Sequence, residues 1–198
     1  RKGTKLKRII LASNSPRRQE LLKLLGIKFE IQVSNWKEIA QTNLPPRELC
    51  CYNSKEKARA ILLSPEEDCI VIGCDTIVVL NNHILEKPKT EDDARRMLSL
   101  LSGKAHTVHS GLSVRDNKIQ KEITEHVKTT VKFRDLSSME IDSYISTGEP
   151  FDKAGAYGIQ GKGALFVEYI NGCYYNVVGL PLVTLYKILL KTGINIWG

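Results

Sequence analysis
Apolar residues along the chain fall into short runs whose spacing switches repeatedly between the period of a strand and that of a helix. Residues 7–12 form a mostly apolar run that predicts a short buried strand. Ser15-Pro16 then has the form of a helix start, Ser at the cap and Pro in the first position. Leu21, Leu22, Leu24 and Leu25 give that helix its apolar side, and Gly26 ends it. A second strand is expected over 29–33, and Pro45-Pro46 opens a helix carrying Leu49, Tyr52 and Ala58. The Ile- and Val-rich run over 69–80 predicts a long strand, turned by Asn81-Asn82 into a short return strand over 83–85. Thr90 caps the next helix, with Glu91, Asp92 and Asp93 in its first turn, where the helix dipole favours acids. Gly103 stops it.

Alternating strands over 107–115 and 119–133 follow, then a helix over 138–147 ended by Gly148, then a Gly-rich loop over 149–163. Strands over 164–170 and 174–178 around Asn171-Gly172 predict another hairpin, and a last helix follows Pro181 up to Gly193. Hairpins interleaved with strand–helix units predict an α/β fold on a mixed β-sheet flanked by helices.

Composition narrows the class. A chain of 198 residues with 42% hydrophobic and 26% charged residues suits one globular domain. The most apolar segment, 177–190, is interrupted by Gly179, Pro181 and Lys187, well short of the ~18 residues of a membrane helix. Residues 9–12 are too few for the apolar region of a secretory signal. A net charge of +7 raises nucleic acid as a partner. Yet Arg1, Lys2, Lys5, Lys7 and Arg8 lie together with no acid among them, and beyond residue 8 the chain has 24 basic against 22 acidic residues. This reads as a basic, solvated extension over 1–8 and a near-neutral domain over 9–198, which argues against a nucleic-acid partner. Cys50, Cys51, Cys69, Cys74 and Cys173 form no C-x-x-C pair and read as reduced thiols of a cytoplasmic protein.

The residues that could carry chemistry gather at loops. Ser13, Asn14, Ser15, Pro16, Arg17 and Arg18 put two hydroxyls, backbone N–H groups and two guanidiniums at a helix start. That is a site for a phosphate, or a plain Ser-Pro cap with solvated arginines. Arg in a first turn opposes the dipole, which favours a bound anion there. Asp75 lies in an apolar strand, where a carboxylate needs a partner, a metal or a raised pKa. It is either a general base or magnesium ligand, or a carboxylate hydrogen-bonded to backbone at a bulge beside Gly73. Lys57 and Lys87 suit phosphate contact as well as ordinary solvated positions. In the stretch 152–161, Gln160 can read the edge of a base through its amide, and Tyr157 either stacks on a ligand or packs in the core. His106 and His109 lack metal-ligand spacing and read as strand decoration.

Taken together and in order, these motifs resemble the Maf family of nucleotide pyrophosphatases. The resemblance runs through Leu11-Ala12-Ser13-Asn14-Ser15-Pro16-Arg17-Arg18, Lys57-Ala58, Gly73-Cys74-Asp75-Thr76, Leu85-Glu86-Lys87-Pro88, Leu101-Ser102-Gly103, the stretch 152–161 and Val178-Gly179-Leu180-Pro181. It implies an elongated Maf/ITPase-like mixed sheet with two lobes around a cleft, often as a homodimer. It implies hydrolysis of a nucleoside triphosphate to monophosphate and pyrophosphate with a divalent cation, Mg2+ or Mn2+. By this resemblance Ser13, Ser15, Arg17 and Arg18 bind phosphates, Lys57 and Lys87 offset developing charge, and Asp75 accepts the proton. Glu38, with Asp75, lies near the metal, although Trp36-Lys37 precedes it where acids are common. Arg17, Thr76 and Gln160 select the base and point to the dTTP/UTP group. The alternatives are a 7-methyl-GTP pyrophosphatase and a non-catalytic nucleotide-binding regulator of cell division. Cys74 stands where Ala or Ser is usual, and an oxidised thiol there is expected to crowd Asp75.

Overall fold
The computed structural model describes residues 7–33, 35–40 and 43–197. One seven-stranded mixed sheet runs in the order β2-β1-β3-β5-β6-β7, with β4 also paired to β3. β1 (Arg8–Leu11) lies parallel to β2 (Glu30–Ile31) and to β3 (Cys69–Leu80), joined to them through α1 (Pro16–Leu24) and α2 (Pro46–Arg59). β4 (His83–Leu85), β5 (Ala105–Asp116), β6 (Lys121–Phe133) and β7 (Val167–Asn171) are all antiparallel to their neighbours. α3 (Glu91–Leu101), α4 (Ser138–Ile145), α5 (Tyr174–Val178) and α6 (Leu182–Lys191) complete the fold.

Strand alternation divides the core. One face of β3, through Cys69, Val71, Ile77 and Val79, packs against α2. On the other face Ile70, Ile72 and Cys74 join the side chains of α1 and α6, while Val78 and Leu80 join those of α3 and α4. Two cores therefore share one face of the sheet, and Thr76 falls between them. The seat of α2 depends on glycine. A Cβ on Gly73 would lie 2.2 Å from Ser54 O, and one on Gly111 2.1 Å from Cys50 O. The helix presents Leu49, Cys50, Asn53, Ser54, Lys57 and Ala58 to the sheet, a helical stripe of which half is polar.

Several expectations need correction. The strand expected over 29–33 is only Glu30–Ile31. β1 opens at Arg8, one residue before the boundary drawn from composition; Lys7 pairs with Asp116, and Arg8 with Glu30 and Glu67. Lys7 and Arg8 thus belong to the folded unit, while residues 1–6 lie outside the described residues. The segment 174–178 is a helix rather than the second strand of a hairpin. The buried Asn176 explains this: its Nδ2 donates to Val108 O at 3.1 Å and to Thr129 Oγ1 at 3.0 Å. Thr129 Oγ1 in turn donates to Cys173 O and accepts from Cys173 N–H, both at 3.1 Å. These tertiary bonds outweigh the strand preference of Val177 and Val178.

His106 and His109 lie on β5 as expected, but both are buried. His106 is 2% exposed, set edge-on between Phe133 and Tyr157, with Nε2 2.7 Å from the Tyr157 hydroxyl. His109 faces the other side and meets His126 at 3.0 Å. Burial pushes both His106 and His109 down to about 4. Below the ordinary value of 6.5 the unfolded chain therefore binds protons that the folded chain refuses. The histidines' contribution to stability is complete above pH 6.5 and is lost as pH drops towards 4, His106 alone accounting for a loss of about 2 kcal/mol by pH 5. Urea midpoints at pH 7 and pH 5 test this, and equal midpoints would refute it.

Candidate active site
The site begins with a gap in the sheet. β1 pairs with β3 only as far as Ile72, and β4 joins β3 only from Val78. Between them the edge of β3, Gly73 to Ile77, has neither neighbour. Asp75 and Thr76 point to opposite faces of the sheet, and this gap makes both reachable from one cleft. The cleft has two arms of about 340 and 330 Å³ that share Ser15, Arg17, Arg18, Glu38, Lys87 and Asp152.

At the gap, Asp75 is 4% exposed and fully engaged. Its Oδ1 accepts from Lys57 Nζ at 2.7 Å, and its Oδ2 from Asn53 Nδ2 at 3.2 Å. Lys57 Nζ also donates to Cys74 O at 3.2 Å, on the unpaired strand edge, and meets Glu38 Oε1 at 2.6 Å. Burial works to raise the Glu38 carboxyl, but Lys57, with Lys87 and Arg18 behind it, holds it below the usual glutamate range. Asn53 sets this geometry. Its Oδ1 accepts from Ile39 N at 3.1 Å and its Nδ2 donates to Ile39 O at 3.0 Å, so the loop bearing Glu38 is clamped to α2 one turn before Lys57. Two carboxylates thus converge on one point that an ammonium now fills. Hard oxygen donors of this kind fit Mg2+ or Mn2+. Among the described residues no group of three or more His, Cys, Asp or Glu could hold a metal. A divalent ion there would complete its shell with phosphate oxygens and water.

α1 starts at the rim of the same point. Pro16 lacks an N–H, so the free first-turn donors are those of Arg17 and Arg18. Ser13 Oγ accepts from Ser15 N at 3.2 Å and from Arg18 Nη1 at 3.1 Å. Arg18 also donates from Nε to Gly179 O at 2.9 Å and from Nη2 to Thr76 Oγ1 at 3.3 Å. Three of its five donors are used within the protein, leaving two for a ligand. Arg17 answers the dipole argument with a protein anion: its Nη1 meets Asp152 Oδ2 at 2.7 Å across the cleft. Burial tends to raise the Asp152 carboxyl, but Lys153 and Arg17 hold it below the usual aspartate value. Lys87 reaches the cleft from the turn after β4, fixed by the buried Pro88 and by the Gly155 N–H donating to Glu86 O at 3.1 Å.

The second arm is apolar inside, lined by Val78, Val108, Tyr157, Ile159, Val177 and Val178. Thr76, Gly179 and Gln160 line it too, with Glu149 and Lys153. Tyr157 is core and wall at once, since it packs edge-on against Phe133 while lining the arm. Glu149 holds the loop that carries Gln160: its Oε1 accepts from the Tyr144 hydroxyl at 3.0 Å and Gly163 N at 3.3 Å, and its Oε2 from Lys162 N at 3.2 Å.

Every residue singled out from sequence, namely Ser13, Ser15, Arg17, Arg18, Glu38, Lys57, Asp75, Thr76, Lys87 and Gln160, lines one arm or the other. Sequence reasoning missed Asn53, Ser110, Glu149 and the pairing of Asp152. Asn53 had a signal: a polar side chain four residues before Lys57 on the apolar stripe of a helix. The expectation for Cys74 fails. Its side chain points away from Asp75 into the core of α1 and α6, and burial pushes its thiol pKa up. Such a thiol is inert.

The family profile described as Maf-like protein matches residues 8–192. The chain belongs to the Maf family. Curated Maf relatives include the dTTP/UTP pyrophosphatase of Clostridium botulinum (strain 657 / Type Ba4), 50% identical over 96% of this chain and 100% of that one. That of Photorhabdus laumondii is 47% identical over 94% of each. Among solved structures, the HAM1 protein of Coxiella burnetii covers 94% of this chain and 100% of its own at 16% identity and a TM-score of 0.47, a likeness too low to carry chemistry.

Proposed function
We propose that this Maf protein hydrolyses dTTP and UTP to the monophosphate and pyrophosphate, clearing such nucleotides from the cell's pool. The observation that carries the reading is the Asp75–Lys57–Glu38 cluster at the meeting of two unlike arms. One arm has the hydroxyls, helix start and cations that suit phosphates; the other adds apolar walls from Val78, Val108, Ile159 and Val178 that suit a base. The names of the relatives agree with it.

In this reading Ser13, Ser15, Arg17 and Arg18 hold the phosphates, with Arg17 exchanging Asp152 for the substrate. Asp75 accepts the proton of a water whose oxygen bonds to phosphorus as the α–β anhydride breaks and pyrophosphate leaves. Lys57 keeps Asp75 oriented, and Lys57 and Lys87 offset charge on the oxygens of the transition state. A divalent cation bound by Glu38 and Asp75 would draw charge from the phosphate oxygens. Arg17, Thr76 and Gln160 select the base. The free thiols fit a reducing, cytoplasmic setting.

Pyrophosphate release with Mg2+ or Mn2+ tests this across dTTP, UTP, CTP, GTP, ATP and 7-methyl-GTP. The expected result is turnover of dTTP and UTP that chelation abolishes and added cation restores. Turnover of 7-methyl-GTP alone would keep the chemistry but overturn the roles of Arg17, Thr76 and Gln160. Nucleotide binding with no turnover would make the protein a regulator.

A further inference from the structure
Ser110 is fully buried, yet its hydroxyl lies directly behind the base arm. It stands opposite Thr76 in the β3–β5 ladder, with its Oγ 2.8 Å from Thr76 Oγ1. Thr76 Oγ1 also accepts from Arg18 Nη2 at 3.3 Å and donates to Gly179 O at 3.4 Å. The protons of this network can be assigned. Arg18 only donates, and Gly179 O only accepts. Among the described residues the Ser110 hydroxyl has Thr76 as its hydrogen-bonding partner. If Thr76 gave its proton to Ser110, the Ser110 proton would be buried with no acceptor, which is costly. If Ser110 donates instead, every group is satisfied. Both lone pairs of Thr76 are then taken, by Ser110 and Arg18, and its own proton goes to Gly179 O over 3.4 Å, a long bond that a ligand acceptor at the cleft can replace.

We propose that Ser110 fixes Thr76 as a hydrogen-bond donor, so that Thr76 and the adjacent Gly179 carbonyl read a C=O/N–H edge of the base. This rests on the pyrimidine-nucleotide reading above and explains its selectivity. Gly179 lines the cleft, and its carbonyl oxygen has one firm partner, Arg18 Nε at 2.9 Å; Thr76 Oγ1 and Cys74 Sγ donate to it only over 3.4 Å. It can therefore accept from a ligand. Uracil and thymine offer the O4 keto oxygen to Thr76 and the N3–H to Gly179. Cytosine presents an unprotonated N3 to the Gly179 carbonyl, acceptor against acceptor, and its amino group meets the Thr76 proton, donor against donor. Ser110 touches no substrate and is a positioning residue. Its hydroxyl sets the direction of the bond that Thr76 makes.

The test is the ratio of kcat/KM for UTP to that for CTP in wild type and in Ser110→Ala. Without Ser110, Thr76 has a lone pair free to accept from an amino group. The ratio is expected to fall about tenfold, mostly through KM. In a Thr76→Val background Ser110→Ala is expected to change the ratio no further. A ratio unmoved by Ser110→Ala, or moved equally in the Thr76→Val background, would overturn the proposal. A second arm needs only wild-type enzyme: 4-thio-UTP, which places sulfur against Thr76, is expected to bind more weakly than UTP, and 2-thio-UTP as UTP does. If 4-thio-UTP binds as UTP does, or 2-thio-UTP alone is weakened, the proposal fails. Wild-type turnover of UTP and CTP with equal efficiency would sink it while leaving the pyrophosphatase reading intact, whereas no turnover of any nucleotide would sink that reading itself.

Discussion

Replacing Asp75 by Asn is expected to lower kcat for UTP on the order of a thousandfold while nucleotide still binds. The substitution keeps the size of the side chain and removes its charge and its capacity to take a proton. Phosphate binding survives because Ser13, Ser15, Arg17 and Lys87 approach from other elements. The fold survives because Lys57 keeps Glu38 at 2.6 Å and is not left as a lone buried charge. A local cost remains. Asn53 is locked by Ile39 N at 3.1 Å and Ile39 O at 3.0 Å, so its amide donors must face residue 75. One orientation of an introduced Asn sets donor against donor there, and the other turns an NH2 towards Lys57. The loss of one good bond is worth about 1–3 kcal/mol. Single-turnover kinetics with a parallel binding titration separate these effects. Loss of binding together with rate would mean that Asp75 holds substrate rather than drives the reaction, and a retained rate would remove it from the mechanism.

The strand of Asp75 was legible because its signals are local. An apolar run, Asn81-Asn82 and a short return gave β3 and β4 at their observed limits. Thr90 with three acids gave α3, and the Thr90 side chain does accept from Asp93 N at 3.1 Å. What failed was set at long range. Residues 174–178 carry strand-forming Tyr and Val, but Asn176 is drawn to Val108 and Thr129 on the neighbouring strands. His106 and His109 alternate as strand residues should, yet nothing in their own segment says that both faces of β5 are covered. The site was legible as a set of residues and illegible as an object. Periodicity cannot show that β1 stops at Ile72 and β4 starts at Val78, and that gap is what lets Asp75 and Thr76 share a cleft. Asn53, Ser110 and Glu149 escaped for a related reason: each acts through another residue, and an isolated Asn, Ser or Glu carries no motif.

Gly111→Ala should destabilise the protein and slow it together, for one steric reason. Gly111 pairs with Asp75 across the β3–β5 ladder, on the face that α2 covers. An added Cβ would lie 2.1 Å from Cys50 O, 2.3 Å from Cys50 C and 2.5 Å from Cys51 N. All three are backbone atoms of a helix, so no side-chain rotation relieves the overlap. The helix itself must move, and it carries Asn53 and Lys57. Overpacking of this kind costs about 3 kcal/mol. For a chain of this size each kcal/mol lowers Tm by roughly 2–4 °C, so a fall of roughly 6–12 °C is expected. Well below that Tm, kcat should drop, because Lys57 can no longer meet Asp75 and Glu38 at 2.7 and 2.6 Å together. KM should change less, since Ser13, Ser15 and Arg17 stand on the segment leading into α1 and on its first turn, which α2 does not carry. Calorimetry and steady-state kinetics on the same preparation test both halves. An unchanged Tm would mean that α2 does not rest on this glycine. A lowered Tm with full kcat would mean that the position of Lys57 does not depend on how closely the helix is seated.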